Sequence, residues 1–547
     1  MTSAGAGESV VSGEPDPWTR RTFALALAPI MLAQGMVIFD TAGVSTLART
    51  IQLDLRTSLT GVQYGIGGQL LFAAAFMMVA ARLGAVLGRK KMVIFGVALR
   101  ILGTIVILFS QNATMFFLGR AVLCGISTSF VIVNGLAIIA ASFVDARRVK
   151  AASVSAAVVA VALISAPLAG GMFASTVGWR WFYLVVLVGS VAAMCFTPFL
   201  PRIAPTTSEG RVDFLGAILA IISFGCVIFG IQQITPWGLN HVRNPPFTIF
   251  GKSPAPFIVV LGLLLLVAFG LFETWRRNTG RPVLFDTKML RNHFVRTGNL
   301  ALTGIASILF GTFFLVPVYL QIVQGLSPFE SSLRTVFYGI GAFTMARLFS
   351  RLSQRFSLRG MFFITMGVIA LGTALLAWDI TPLPYGALPV AMFCFGLALS
   401  SSKPALQVAT QRVVPLEDRG QLAAMNEAGW SLGGALGIAI VGTLLLAALT
   451  SGIQQNMLSD SRLGPEAKAV VQKYIERGIA IVPDTRVRTI LTNEGISKGE
   501  IEIMSDHYSD AATWALLASV LGTSILALIS FGFVLRLPKK DPEPVDV

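Results

Sequence analysis

Asp40 is an acid set in an apolar stretch, and Arg120 is a base set in another. Inside a bilayer an ionisable side chain is costly, so it marks either function or a buried partner. Asp40 lies about six residues from the outer end of the first apolar stretch, and Arg120 about six from the outer end of the fourth. At ~1.5 Å per residue both stand roughly 9 Å below the edge of their helices. An acid at that depth can take up and release a proton. A guanidinium at the same height can serve as its counter-ion until a proton or a ligand disturbs the pair. The plainer reading of the same two residues is a static ion pair that locks two helices.

Lys403 and Glu427 follow the same logic. Each lies about six residues from the inner end of its stretch, the twelfth and thirteenth, and consecutive helices form an antiparallel hairpin. A structural pair is expected, with a role in coupling or in holding a ligand as the alternative. A lysine facing a central cavity would favour an anionic or zwitterionic ligand. Arg100, in the third stretch, has no acidic mate at its depth and receives no role. Asn134, Gln321, Gln407, Asn426 and Ser400 to Ser402 supply polar groups to inner helices. Singly, each is more often glue between helices. Together, Asn134, Gln321, Lys403 and Gln407 are the expected cavity lining.

Other chemistries find no residues to carry them. The three histidines, His241, His293 and His507, all fall outside the apolar stretches, and the four cysteines all fall inside them without CxxC spacing. Neither a metal site nor a cofactor is expected. No phosphate-cradling glycine loop exists, and no loop cluster of His, Asp or Cys suggests an enzyme. The net charge of +15 sits in short loops, so it points to membrane topology and lipid contact rather than nucleic acid.

The elements that must position these residues are membrane spans. Hydrophobic residues make up 54% of the chain and charged residues 13%, and its mean hydropathy is +0.75. Soluble domains carry about 25% charged residues. Fourteen stretches reach the ~20 residues that cross a hydrocarbon core: roughly 22–46, 62–81, 92–109, 114–137, 152–174, 181–200, 214–234, 255–274, 299–322, 331–350, 360–380, 386–409, 421–449 and 512–536. They are continuously apolar, as in Phe257–Phe269, so they are helices rather than alternating barrel strands. The fold class is therefore all-α, integral to the membrane, with fourteen spans.

Lys and Arg crowd every even-numbered loop, which places both termini in the cytoplasm and the protein in the cell (inner) membrane as a multi-pass chain. The loop after the second span, Arg82-Leu83-Gly84-Ala85-Val86-Leu87-Gly88-Arg89-Lys90, returns after the tenth as Arg351-Leu352-Ser353-Gln354-Arg355-Phe356-Ser357-Leu358-Arg359. Each follows the second helix of a six-helix set if spans 7 and 8 are an inserted hairpin. The expected organisation is a tail over 1–21, a six-helix half over 22–200, a linker with the inserted hairpin over 201–298, a second half over 299–537 and a tail over 538–547. The second half includes a long outer loop, 451–510, in which Pro465–Gly478 reads as an amphipathic helix. Two related halves around a central site is a transporter plan.

The ordered motifs resemble the major facilitator superfamily, in particular its 14-helix drug:proton antiporter family, over nearly the whole chain. Phe39 to Leu47 with Ile51-Gln52-Leu53-Asp54-Leu55 resembles the acidic motif of the first helix. Arg82, Gly88, Arg89 and Lys90 match the basic loop motif, and Arg120 with Gly125 matches the arginine motif of the fourth span. Ala166-Pro167-Leu168-Ala169-Gly170-Gly171 resembles the antiporter motif, in which Pro167, Gly170 and Gly171 bend the fifth span and let it pack closely. Tyr319-Leu320-Gln321 and Gly433-Gly434-Ala435-Leu436-Gly437 fit spans 9 and 13. Ala85 and Gln354 stand where the loop motif has an acid, so the acid-based latch between halves is missing. The resemblance implies that spans 1 and 4 are neighbours, which would bring Asp40 to Arg120. It also implies cavity-lining helices 1, 4, 9 and 12, and proton-coupled export of small hydrophobic or amphiphilic compounds by alternating access. The implied partners are lipid, protons and a small-molecule substrate, with the chain acting as a monomer. The alternatives are a transporter of one metabolite, lipid or siderophore without proton coupling, and a non-transporting membrane sensor.

Overall fold

In the computed structural model, residues 19–143, 145–203, 213–238, 245–281, 283, 288–322, 324–379, 386–414, 419–476 and 484–540 are described. Most of the two terminal tails, Arg211 and Arg243 therefore lie outside them. The described residues hold fourteen long helices. In the first half these are α1 (Arg20–Asp54), α2 (Leu59–Leu87), α3 (Arg89–Leu108), α4 (Ala113–Ser142), α5 (Asp145–Ser175) and α6 (Trp179–Phe196). A hairpin follows, α7 (Phe214–Trp237) and α8 (Ala255–Asn278). The second half is α9 (His293–Ile322), α10 (Phe337–Arg355), α11 (Leu358–Asp379), α12 (Ala387–Gln411), α13 (Arg419–Ser459) and α14 (Lys498–Leu535).

Twelve of these are long and apolar enough to cross a membrane. The other two, α10 and α12, fall short on composition: Arg347, Arg351 and Arg355 lie on α10, and Ser400 to Lys403 on α12. Both are nonetheless packed against other helices of the bundle, α10 on α12 and α5, and α12 on α10 and α11.

Local chemistry sets the breaks. Ser58 caps α2 by accepting from the Gly61 N–H, and Asn112 caps α4 by accepting from the Met115 N–H. Gly88 ends α2 and starts α3 with φ of 99°, a conformation that favours glycine. Glycine also permits close packing. A Cβ on Gly437 would stand 1.9 Å from the Ser307 carbonyl oxygen, and one on Gly433 2.1 Å from that of Thr303, so α13 lies directly against α9.

Within the first half, α1 packs on α5 and α6, and α3 on α4 and α6; within the second, α9 packs on α13 and α14, and α10 on α12. The halves meet along α2 with α13 and α5 with α10. In the inserted hairpin, α7 lies along the α2–α13 seam: Thr443 Oγ1 donates to the Ile231 carbonyl at 3.2 Å, and the Tyr64 and Phe229 rings are 6.2 Å apart.

The helices flanking residues 451–510 overrun the expected spans. α13 continues to Ser459 and α14 begins at Lys498, with Pro465–Glu476 and Asp484–Asn493 as short helices between. Leu463, Ala467, Val471, Leu491, Ile496, Ile501 and Met504 are buried there, so much of the stretch read as loop is a small helical cap on the ends of α13 and α14.

Candidate functional site

Asp40 lies at the centre of the first half and is 1% exposed. Arg120 Nη1 donates to its Oδ1, as expected, and Arg100 Nη1 donates to its Oδ2 at 2.7 Å. Sequence alone gives Arg100 no mate. The expected ends put it about 5 Å deeper than Asp40, a gap that an arginine side chain spans easily. Charge type within a span was the signal; side-chain reach was the missing quantity.

Three more groups complete the cluster. Arg100 Nη2 donates to Thr128 Oγ1 at 2.8 Å and to the Cys124 carbonyl at 3.3 Å, and Arg120 Nη1 reaches Tyr183 Oη at 3.1 Å. Arg120 stands in a π-helical segment, Leu118–Cys124, within α4. Such wide turns are rare and are frequent at functional positions. The Phe39 and Phe182 rings stack at 4.9 Å beside the acid. Four helices of one half, α1, α3, α4 and α6, thus converge on one carboxylate.

The antiporter-motif glycines face two different neighbours. A Cβ on Gly170 would stand 2.5 Å from Thr46 Oγ1, so Gly170 seats α5 on α1. A Cβ on Gly171 would stand 2.1 Å from Ser332 Oγ and 2.5 Å from the Pro328 carbonyl oxygen. Gly171 therefore seats α5 on the short helix Pro328–Thr335 of the other half. Pro167 lies inside α5, one turn away. Nearby, the Phe329 N–H donates to Ser175 Oγ at 3.2 Å.

Gln321 and Asn134 are joints between helices here, each 1% exposed or less. Gln321 Nε2 donates to the Thr46 carbonyl at 3.0 Å, and Arg49 Nη1 donates to the Gln321 carbonyl at 2.5 Å, which ties α9 to α1 across the halves. Gln63 Nε2 adds a bond to the Ile438 carbonyl at 2.7 Å. These cross-half bonds gather at the end away from the basic loops. Asn134 Nδ2 donates to the Ala80 carbonyl at 3.1 Å and presses on Gly84, joining α4 to α2.

In the loop motif, Lys90 Nζ donates to the Pro198 and Leu200 carbonyls, both at 2.8 Å, and so caps the terminal carbonyls after α6. Arg89 comes near Gly420 at the start of α13, and Arg82 is half-buried near the end of α2.

Lys403 Nζ and Glu427 Oε1 are 2.7 Å apart. Beside them Asn426 Nδ2 donates to Gln407 Oε1 at 3.0 Å, and Asn299 Nδ2 donates to Asn426 Oδ1 at 2.9 Å. α9, α12 and α13 so share one polar cluster in the second half. Among the described residues no group of three or more His, Cys, Asp or Glu could hold a metal.

Residues 30–438 match the family model described as Major Facilitator Superfamily. Among curated proteins, the chain is 28% identical to the puromycin resistance protein pur8 of Streptomyces alboniger, over 84% of this chain and 87% of that one. It is 26% identical to the multidrug resistance protein B homolog of Mycobacterium tuberculosis, over 76% and 75%. Identity to the quinolone resistance protein NorB of Staphylococcus aureus is 24%, over 71% and 81%. Among solved structures, a bacterial homolog of the human lysosomal transporter Spinster aligns with a TM-score of 0.58 at 14% identity, over 96% of this chain and all of that one.

Proposed function

The chain belongs to the Major Facilitator Superfamily and is a multi-pass membrane transporter rather than an enzyme, and from that premise we propose that it exports small amphiphilic compounds in exchange for protons, by alternating access. In this reading all fourteen long helices span the membrane, with α10 and α12 shielded by their neighbours and both termini in the cytoplasm. The protein works as a monomer, in contact with lipid.

The observation that carries the proton-coupled reading is the Arg100–Asp40–Arg120 cluster. A carboxylate with two guanidiniums, sealed from water, is expensive to keep in a membrane protein unless it is used. Placing a proton on Asp40 would leave both arginines without their acid. That state becomes favourable only if α1, α3, α4 and α6 rearrange and readmit water or a counter-charge. Protonation and conformational change are thus linked, which is what coupling requires. The π-helical segment around Arg120 gives α4 a place to adjust its register.

The resistance functions named for the relatives point to export of amphiphilic compounds. The motif glycines support alternating access, because Gly171 closes one seam between the halves while Gly170 holds α5 to α1 within its own half.

The experiment is uptake by inverted vesicles carrying the full chain, with an imposed proton gradient and a panel of amphiphilic antibiotics. Gradient-dependent accumulation is expected, with at least a tenfold loss in Asp40→Asn. Normal gradient-driven uptake by that variant would remove Asp40 from coupling.

A further inference from the structure

The Lys403–Glu427 pair differs from the Asp40 cluster in two ways: its charges balance one to one, and it is partly open. Lys403's side chain is 32% exposed, whereas that of Glu427 is 7%. The Lys403 ammonium also lies 5.8 Å from the centroid of the Trp430 ring, and that ring meets Phe310 edge-on at 5.7 Å. On α13, Ala428 next to Glu427 and Ala424 one turn before it pack with Ala73 and Met77 of α2, so the pair sits beside the seam between the halves. The amides beneath are engaged with one another, Asn299 with Asn426 and Asn426 with Gln407. A matched cation and anion therefore stand side by side against an aromatic wall.

Ligands of different charge meet this pair on different terms. A cation that takes Glu427 displaces Lys403 and leaves the ammonium without its counter-charge. An anion that takes Lys403 strands the nearly buried Glu427 carboxylate. Stranding one member of such a pair is strongly unfavourable. A zwitterion can exchange partners, its own ammonium on Glu427 and its own anion on Lys403, with no charge stranded. The Trp430 ring, only 8% exposed, and the half-buried Phe310 back the pair and give the subsite an apolar, aromatic floor.

We propose that Lys403 and Glu427 form a partner-exchange subsite that selects aromatic or amphiphilic zwitterions, with ammonium and anion a few ångströms apart, as the transported cargo. The inference rests on the export reading above and narrows it to a substrate class.

The test compares three probes of one aromatic body: phenethyltrimethylammonium, 3-phenylpropanoate and phenylalanine betaine. Binding to the purified full chain in nanodiscs is read by equilibrium dialysis, which does not depend on transport. The expected result is at least tenfold preference for phenylalanine betaine in the unmodified protein. Lys403→Met should turn the preference to the cation, and Glu427→Gln to the anion. The charge-swapped Lys403→Glu/Glu427→Lys protein, which keeps one charge of each sign, should retain the zwitterion preference and guards against loss of folding in the single variants. Equal binding of all three probes, or a preference that the single variants leave unchanged, would overturn the proposal. Gradient-driven uptake in vesicles is scored separately: its absence for every compound brings down the export reading, whereas its survival beside unselective binding brings down the zwitterion subsite alone.

Discussion

Two arginines on Asp40 leave its cluster with one positive charge in excess, and that count ranks the effects of substitution. Asp40→Asn leaves two guanidiniums uncompensated, whereas Arg100→Gln leaves one pair in balance. Removing one partner of a buried pair costs about 3–5 kcal/mol. Asp40→Asn should therefore lower the thermal unfolding midpoint of the purified protein clearly more than Arg100→Gln. Adding Arg100→Gln to Asp40→Asn should restore part of the loss. Equal midpoints for the two single variants would show that the charges are screened by water and the cluster is not sealed. At this scale the sequence exposed the ionisable residues themselves, because charge inside an apolar run is visible at once. It did not expose the third member, since depth along a helix ignores how far an arginine reaches. Asn134 illustrates the same gap: its residue type admits either a ligand contact or a helix joint, and only its burial against Gly84 selects the joint.

Helices, not single side chains, decide how the two halves part. A side chain at Gly171 would collide with Ser332 and Pro328 of the opposite half. Gly171→Leu should fold but fail to close that seam, cutting transport at least tenfold. Spin labels on α5 and α10, at the end away from the basic loops, should report a longer separation than in the unmodified protein. An unchanged distance would mean that the seam has slack. Gly170→Leu should instead act within one half, where Thr46 and the Gly43 carbonyl are its neighbours, and so lower stability first. The helical cap over residues 451–510 makes a different prediction. Asp460 accepts hydrogen bonds from Arg462 and from His507 on α14, at 2.7 Å for the latter, and these hold its carboxyl well below the usual carboxylate range. A group depressed on folding adds stability above its unfolded value of about 4, lost as pH falls through the folded value. Protection of the α14 amides around His507 against exchange, measured relative to the intrinsic rate at each pH, should thus hold down to about pH 4 and fall below it. In Asp460→Asn that acid-dependent step should shrink to the part owed to Glu500, whose carboxyl accepts from Ser497 and from the Gly464 N–H and is likewise held low. The sequence showed this stretch's amphipathic helix, whereas the overrunning ends of α13 and α14 stayed hidden because hydropathy marks the bilayer edge, not the helix end.

At the scale of the molecule, the cross-half bonds place one end of the transporter in a closed state. Arg49, Gln321, Thr46, Gln63 and Ile438 join the halves there, and α7 lies along the α2–α13 seam. Arg49→Cys/Gln321→Cys, in a background free of the four native cysteines, should be joined by a short bifunctional methanethiosulfonate reagent. Uptake should then fall to background and return on reduction. Undiminished uptake by the crosslinked protein would mean that α1 and α9 need not part during transport.

The amino-acid sequence by itself determined the membrane class, the all-helical fold and the identity of the costly charges. These follow from composition and from the spacing of apolar runs, quantities that are linear along the chain. Tertiary structure alone decided that Arg100 shares Asp40, that neighbouring Gly170 and Gly171 serve different halves, and that Lys403 is open while Asp40 is sealed. Each of these depends on which faces of distant helices meet, and the bilayer, which rewards every apolar face alike, leaves that choice to packing and to the few polar groups that must find partners.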